Sequence, residues 1–124
     1  MPSALPIRPS PGRRSAVLRP LFEIEATEDD GSIVIRVKGE LDLAQRPRLD
    51  HVLADSEAGG AGRIILDLDE LTFIDAAGLY CLDAASTRSA ETGSRTLMTR
   101  GEGEVARILQ LTSLDRTLPF IEAR

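Results

Sequence analysis

The chain has no tryptophan, a single cysteine (Cys81), a single histidine (His51), and few other aromatics: Phe22, Phe73, Tyr80 and Phe120. One cysteine rules out an intramolecular disulfide and a multi-cysteine metal site, and with only one histidine beside it the shortage of soft ligands argues against structural zinc. The shortage of aromatic rings removes the stacking platform that a single-strand nucleic-acid binder would use. No apolar run approaches the ~20 residues of a membrane-spanning helix. The N-terminal stretch carries positive charge but no apolar core, so it does not read as a secretory signal. The expected compartment is the cytoplasm, without membrane insertion. What is present is ordinary for one soluble globular domain: 124 residues, 42% hydrophobic and 28% charged.

Charge is unevenly spread. The net charge is −5, residues 1–22 carry +4 (Arg8, Arg13, Arg14, Arg19, no acid), and the remainder therefore carries −9. An acidic body argues against direct nucleic-acid binding, which needs a basic face. Residues 1–20 also hold Pro2, Pro6, Pro9, Pro11 and Pro20 with no apolar period, and read as a disordered basic tail before a domain spanning 21–124.

Within that domain, Leu21 to Ala26 alternates apolar and polar residues, Asp29-Asp30-Gly31-Ser32 is turn chemistry, and Ile33 to Lys38 alternates again: a hairpin. Asp42 is placed to N-cap a helix carrying Leu49, Val52, Leu53 and Ser56, with Pro47 tolerated in its first turn. Arg63 to Leu68 is nearly all apolar, as in a central parallel strand buried on both faces, and makes a βαβ unit with what precedes it. Leu71 to Ile74 reads as a short apolar connection, and a helix runs from Ala76 to about Glu91, with Gly93 as its natural stop. Thr96–Thr99 reads as a short strand, Glu104–Thr112 as a helix, and Thr117–Ile121 as a last edge strand containing Pro119. The expected fold class is α/β: a single domain with a mixed four- to five-stranded sheet and helices packed mainly on one face.

Glu40, Asp42, Asp67, Asp69 and Asp75 fall at or just after strand ends, where open α/β sheets bind ligands. Paired carboxylates there could do acid–base work, but nothing completes a catalytic site. His51 reads as a helix-surface residue and Cys81 as a small core residue. Gly59-Gly60-Ala61-Gly62 precedes a strand rather than a helix, so it is no phosphate loop. The expectation is a non-enzyme without cofactor or metal. The start of the second long helix stands out instead. Asp75 can cap it, and a phosphate on its first residue would be stabilised there and would add close to two negative charges to the surface.

Three segments carry a resemblance. Gly39-Glu40-Leu41-Asp42 resembles the GELD segment of STAS domains of the anti-sigma-factor antagonist type. Ile64 to Leu68, continuing through Phe73-Ile74-Asp75-Ala76-Ala77-Gly78-Leu79, is similar to their strand–loop–helix signature. Val105 to Pro119 resembles the family's last helix and strand. The resemblance covers about residues 22–122. It implies a bacterial partner-switching protein in sigma-factor control. The unphosphorylated domain binds an anti-sigma factor that is itself a serine/threonine kinase of the histidine-kinase ATPase type, and phosphorylation after the Asp of D-S-S-G abolishes binding. Carried over, the partner-binding surface comprises Glu40, Asp42, Asp75, Ala76, Ala77 and Gly78.

This chain departs from the pattern at the phosphoacceptor, which is Ala76 and cannot be phosphorylated. Gln45 and Ser113, where many relatives have Thr and Gly, read as tolerated changes. Three readings stay open. The chain is an antagonist locked in the binding state. Alternatively, it is an interaction module of another assembly, such as a lipid-transport ATPase or a stress-sensing complex, or a nucleotide-binding STAS domain. In the third, the switch has moved to another hydroxyl such as Thr72, Ser86 or Thr87. A homodimer also stays open.

Overall fold

The computed structural model describes residues 21–92 and 95–121. The expected tail over 1–20 and the helix stop at Gly93 lie outside the described residues. Strands β1 (Phe22–Asp29) and β2 (Ser32–Leu41) form an antiparallel hairpin with Asp29 opposite Ser32. Asp30 and Gly31 between them have φ of 53° and 84°, the two left-handed residues that a two-residue turn matching the strand twist requires. Helix α1 (Arg46–Ala58) then crosses to β3 (Arg63–Ile74), which pairs parallel to β2; helix α2 (Ala76–Thr92) leads to β4 (Arg95–Met98), parallel to β3. Helix α3 (Gly103–Leu111) and a 3-10 turn at Leu114–Arg116 follow. The sheet order is β1-β2-β3-β4, mixed and four-stranded.

One face of the sheet makes the core. Ile35, Val37 and Leu41 of β2 and Ile64, Leu66 and Leu68 of β3 are fully buried with Leu49 and Leu53 of α1, Cys81, Leu82 and Ala85 of α2, and Val105 and Leu109 of α3. The other face carries rows of charge. Arg36 lies 3.3 Å from Glu25 and 3.5 Å from Asp67, and Lys38 lies 4.0 Å from Glu70. Such exposed pairs contribute at most about 1 kcal/mol each, but they keep the face soluble. β3 is thus central and parallel as expected, yet covered fully on one face only, since Ile65 and Asp67 are half-buried.

Three further expectations are corrected. Residues 71–74 are not a connection but the end of β3. The pairs Arg36↔Asp67, Lys38↔Glu70, Gly39↔Leu71 and Glu40↔Phe73 advance one residue further on β3 than on β2 at two places. These are bulges, which break the period of two and re-aim side chains, leaving Phe73 exposed and Ile74 buried. The N-cap of α1 is Gln45, not Asp42. Asp42 instead builds the turn before the helix, its Oδ1 accepting from Gln45 N at 3.0 Å and its carbonyl from Arg46 N at 2.9 Å. Finally, Thr117–Ile121 is not a strand. It makes a single parallel bridge, Met98↔Phe120, after the 3-10 turn. Pro119 has no N–H to extend a ladder, and the Arg100 guanidinium over the Phe120 ring, 4.7 Å from its centroid, holds the segment down.

Candidate functional site

The C-terminal ends of β2 and β3 lie side by side, and the chain leaves each toward a helix. Asp75, between β3 and α2, ties the two exits together. Its N–H donates to the Leu41 carbonyl at 3.2 Å. Its Oδ2 accepts from Leu43 N at 3.1 Å, and its Oδ1 accepts from Gly78 N at 3.0 Å. The second of these carboxylate contacts is an N-cap bond to the third helical residue, which satisfies an orphan donor of α2 and contributes about 1 kcal/mol. The first fastens the loop after β2 to the helix start. One carboxylate therefore sets the position of α2 against the Leu41–Leu43 segment.

That approach is close, and it dictates glycine at 78. A Cβ on Gly78 would lie 2.6 Å from Ile74 Cγ1, 2.8 Å from the Leu41 carbonyl oxygen and 3.0 Å from Leu41 Cγ. Gly39 is required for two reasons: its φ is 100°, and a Cβ there would overlap the carbonyl oxygen of Leu21.

The site residues inferred from the sequence do converge here. Ala76 is exposed as the first residue of α2, Ala77 is half-buried and Gly78 is buried beneath them. Asp42 is half-buried in its turn. Glu40 is half-buried near the end of β2, opposite Phe73, its N–H donating to the Leu21 carbonyl at 2.8 Å. Of the alternative hydroxyls, Thr72 is exposed and donates to the Gly39 carbonyl at 3.1 Å, Thr87 is exposed and Ser86 is half-buried on α2.

Sequence reasoning missed the exposure of Leu43 and Phe73. Leu43 is 73% exposed and Tyr80 67%, and Phe73 is exposed as well. Ala76, Leu79, Tyr80 and Asp83, on one face of α2, look across a groove of about 320 Å³ at Thr112 and Leu114. Leu43, Phe73 and Tyr80 are thus large apolar side chains that the fold leaves in contact with solvent. The one available signal was Leu43, an apolar residue directly after the Asp42 turn with no periodic reason to be buried.

The two lone reactive side chains lie away from this surface. His51 is exposed on α1 and pairs with Asp55 at 3.3 Å. Cys81 is buried between α1 and α2, donating from Sγ to Asp50 Oδ1 at 3.1 Å. Burial, with help from the Asp50 carboxylate, pushes its thiol from an ordinary 9.0 up to about 12. The thiolate is thus disfavoured in the fold. Cys81 should resist disulfide reagents at pH 8 until the protein unfolds. Its contribution to stability is intact below pH 9 and is lost as pH rises from 9 toward 12, at up to about 1.4 kcal/mol per pH unit. A Cys81→Ala variant followed by thermal unfolding from pH 8 to 10.5 should lack that part of the slope.

Among the described residues no three His, Cys, Asp or Glu side chains are grouped to hold a metal ion, and no helix is long and apolar enough to cross a membrane.

The chain has known counterparts in sequence and fold. An anti-sigma-B factor antagonist of Staphylococcus aureus is 27% identical over 94 residues, which are 75% of this chain and 86% of that protein. An anti-sigma factor antagonist from Mycobacterium paratuberculosis shares the fold with a TM-score of 0.71 at 24% identity, over 82% of this chain and 86% of that one. The Bacillus cell fate determinant SpoIIAA in its phosphorylated form does so with a TM-score of 0.62 at 21% identity, over 83% of this chain and 91% of that one. The STAS domain family profile matches residues 23–123. With this match over most of its length, the chain belongs to the STAS domain family.

Proposed function

We propose that this protein is an anti-sigma factor antagonist that binds its anti-sigma factor through the start of α2 and the loop after β2, and that it lacks the usual phosphate off-switch. The observation that carries the reading is Ala76: exposed, first in α2, beside the Asp75 clamp, with Leu43 and Tyr80 also exposed on this part of the domain. A methyl group there keeps the surface neutral and apolar, which suits a protein partner, and it offers no oxygen for phosphoryl transfer. The Staphylococcus aureus relative named as an anti-sigma-B factor antagonist supports the partner class. The finer reading is that the partner is a serine/threonine kinase of the histidine-kinase-like ATPase type, bound in the cytoplasm, with Glu40, Asp42, Asp75, Ala76, Ala77 and Gly78 at the contact. In this reading the protein is a non-catalytic, constitutively active binder.

Restoring the hydroxyl tests this directly. The chain and its Ala76→Ser variant are each incubated with the kinase-type anti-sigma factor of the same cell and ATP, and phosphate uptake is located by mass spectrometry. Ala76→Ser should take up phosphate at position 76 and then release the partner, whereas the parent should remain unmodified and bound. Phosphate on Thr72 of the parent, with loss of binding, would mean that the switch has moved. Failure of the parent to bind any such kinase would remove the antagonist reading.

A further inference from the structure

The two edges of the sheet are finished differently. Beside β4, Met98 N donates to the Pro119 carbonyl at 3.0 Å and the Met98 carbonyl accepts from Ile121 N at 2.8 Å, which covers part of that edge. Beside β1, no strand pairs on the outer side among the described residues. The register shows which groups this leaves open. The two-residue turn makes Asp29↔Ser32 a hydrogen-bonded pair, and such pairs alternate along an antiparallel ladder. The bond from Glu40 N to the Leu21 carbonyl keeps the same parity. Glu23, Glu25, Thr27 and Asp29 therefore direct their backbone N–H and C=O to β2, while Phe22, Ile24, Ala26 and Glu28 direct theirs outward. Arg48 Nη1 takes the Phe22 carbonyl at 3.4 Å. The open row runs from Ile24 to Glu28, roughly 14 Å.

Proline, a bulge or short length usually blunts such an edge. β1 has eight residues, no proline and an unbroken register with β2. Its protection is charge. Glu23, Glu25, Glu28 and Asp29 are exposed, and of these only Glu25 has an ion-pair partner among the described residues, Arg36 at 3.3 Å. Such an edge repels an acidic strand, a second copy of β1 included, and attracts a basic one.

The groove beside the same edge sets the other half of the chemistry. A concavity of about 440 Å³ between β1 and α1 is lined by Ile24, Pro47, Arg48, His51 and Val52. Its polar groups already have partners in the chain. Arg48 bonds the Phe22 carbonyl and Gln45 Oε1 and lies over the Phe22 ring, and His51 pairs with Asp55. What remains for an occupant is the apolar surface of Ile24, Pro47 and Val52. Side chains alternate between the two faces of a strand. A strand added to β1 would turn one set toward this groove and the other toward the face that carries Glu23 and Glu25.

We propose that the outer edge of β1 accepts a strand from another protein, an extended segment in which apolar and basic residues alternate. Its backbone pairs with Ile24, Ala26 and Glu28, its apolar side chains enter the groove beside α1, and its basic ones lie against Glu23 and Glu25. β2 separates this edge from β3, so the domain can hold such a segment and a partner on the start of α2 together. The proposal does not rest on the identity of that partner.

The probe is the capped peptide Lys-Val-Lys-Val-Lys-Val-Lys, titrated into the isotopically labelled full chain and followed by amide NMR shifts and hydrogen exchange. At free peptide about ten times its Kd, exchange at Ile24, Ala26 and Glu28 should slow about tenfold. Glu23, Glu25 and Thr27, already bonded to β2, should not change. N-methylation of the valines or of the interior lysines should weaken binding about tenfold for the set that faces β1, and not for the other. The exposed double variant Glu23→Gln, Glu25→Gln should bind about threefold more weakly. Equal binding of the block peptide Lys-Lys-Val-Val-Val-Lys-Lys would overturn the proposal, since charge alone would then account for the contact. Equal slowing of both sets of amides, or absence of binding at millimolar peptide, would overturn it too. Protection of the same amides that grows with protein concentration in the absence of peptide would give the edge to a second copy and likewise overturn it.

Discussion

Replacing Gly78 by alanine is expected to cost about 2 kcal/mol and to lower the thermal midpoint by roughly 8–16 °C. Alanine is the better helix former by about 1 kcal/mol, so propensity alone predicts the opposite sign. The contacts decide. A Cβ at 78 meets Ile74 Cγ1 at 2.6 Å and the Leu41 carbonyl oxygen at 2.8 Å. That carbonyl is already fixed by the Asp75 N–H, and Asp75 is fixed in turn by Leu43 and Gly78. Nothing on that side is the free end of a flexible side chain. The helix start must move outward, which strains the carboxylate clamp and lifts Ala76 away from the loop after β2. Gly62→Ala is the control, because the nearest atom to a Cβ there is the Gly31 oxygen at 3.9 Å. It should stay within about 0.5 kcal/mol of the parent. Equal midpoints for the two variants, measured by calorimetry, would mean that the close approach of α2 to β2 is not what holds the site together.

The second large effect separates binding from folding. Ala76→Asp should weaken binding to the anti-sigma factor by about 100-fold, which is about 2.7 kcal/mol. A carboxylate covered by a partner without a counter-charge costs several kcal/mol in desolvation. The same substitution should leave the fold intact or slightly firmer, since a negative charge in the first turn of a helix is worth about 0.3–1 kcal/mol, and α2 has no acid in its first turn. Titration calorimetry with thermal unfolding of the same samples reads both quantities. Unchanged affinity would place the contact somewhere other than the start of α2.

The fold was legible in the sequence wherever one local rule governed. The hairpin follows from the alternation on both sides of Asp30-Gly31, whose positive φ angles the residue types anticipate. The order of helices and strands follows from Leu49, Leu53 and Ser56 at helical spacing and from the apolar run Ile64–Leu68. Misreadings arose where two local rules predict the same residue. Asp42 suits an N-cap and an Asx turn equally, and the turn won because Pro47 and Gln45 set the helix start later. Phe73 and Ile74 read as a loop because two bulges on β3 shift the register there, and bulges leave no mark in composition. Thr117–Ile121 has strand residues but ends as one bridge, since a 3-10 turn precedes it and Pro119 interrupts it.

The site divides along the same line. Capping of α2 by Asp75 could be read from residue type and position. The bond from Leu43 N to its other oxygen could not, because it spans 32 positions and exists only once β2 and β3 lie in parallel. The exposure of Leu43 was equally hidden, since whether an apolar side chain is covered depends on neighbours distant in sequence.

The most direct measurement is the affinity of the parent chain for its kinase-type anti-sigma factor, taken before and after prolonged incubation with ATP. An antagonist with alanine at the phosphoacceptor position should bind through the start of α2 with the same affinity in both samples and should keep its sigma factor released throughout. Loss of affinity after ATP would contradict the central claim that this domain carries no phosphate switch, and absence of binding in both samples would contradict the antagonist function itself.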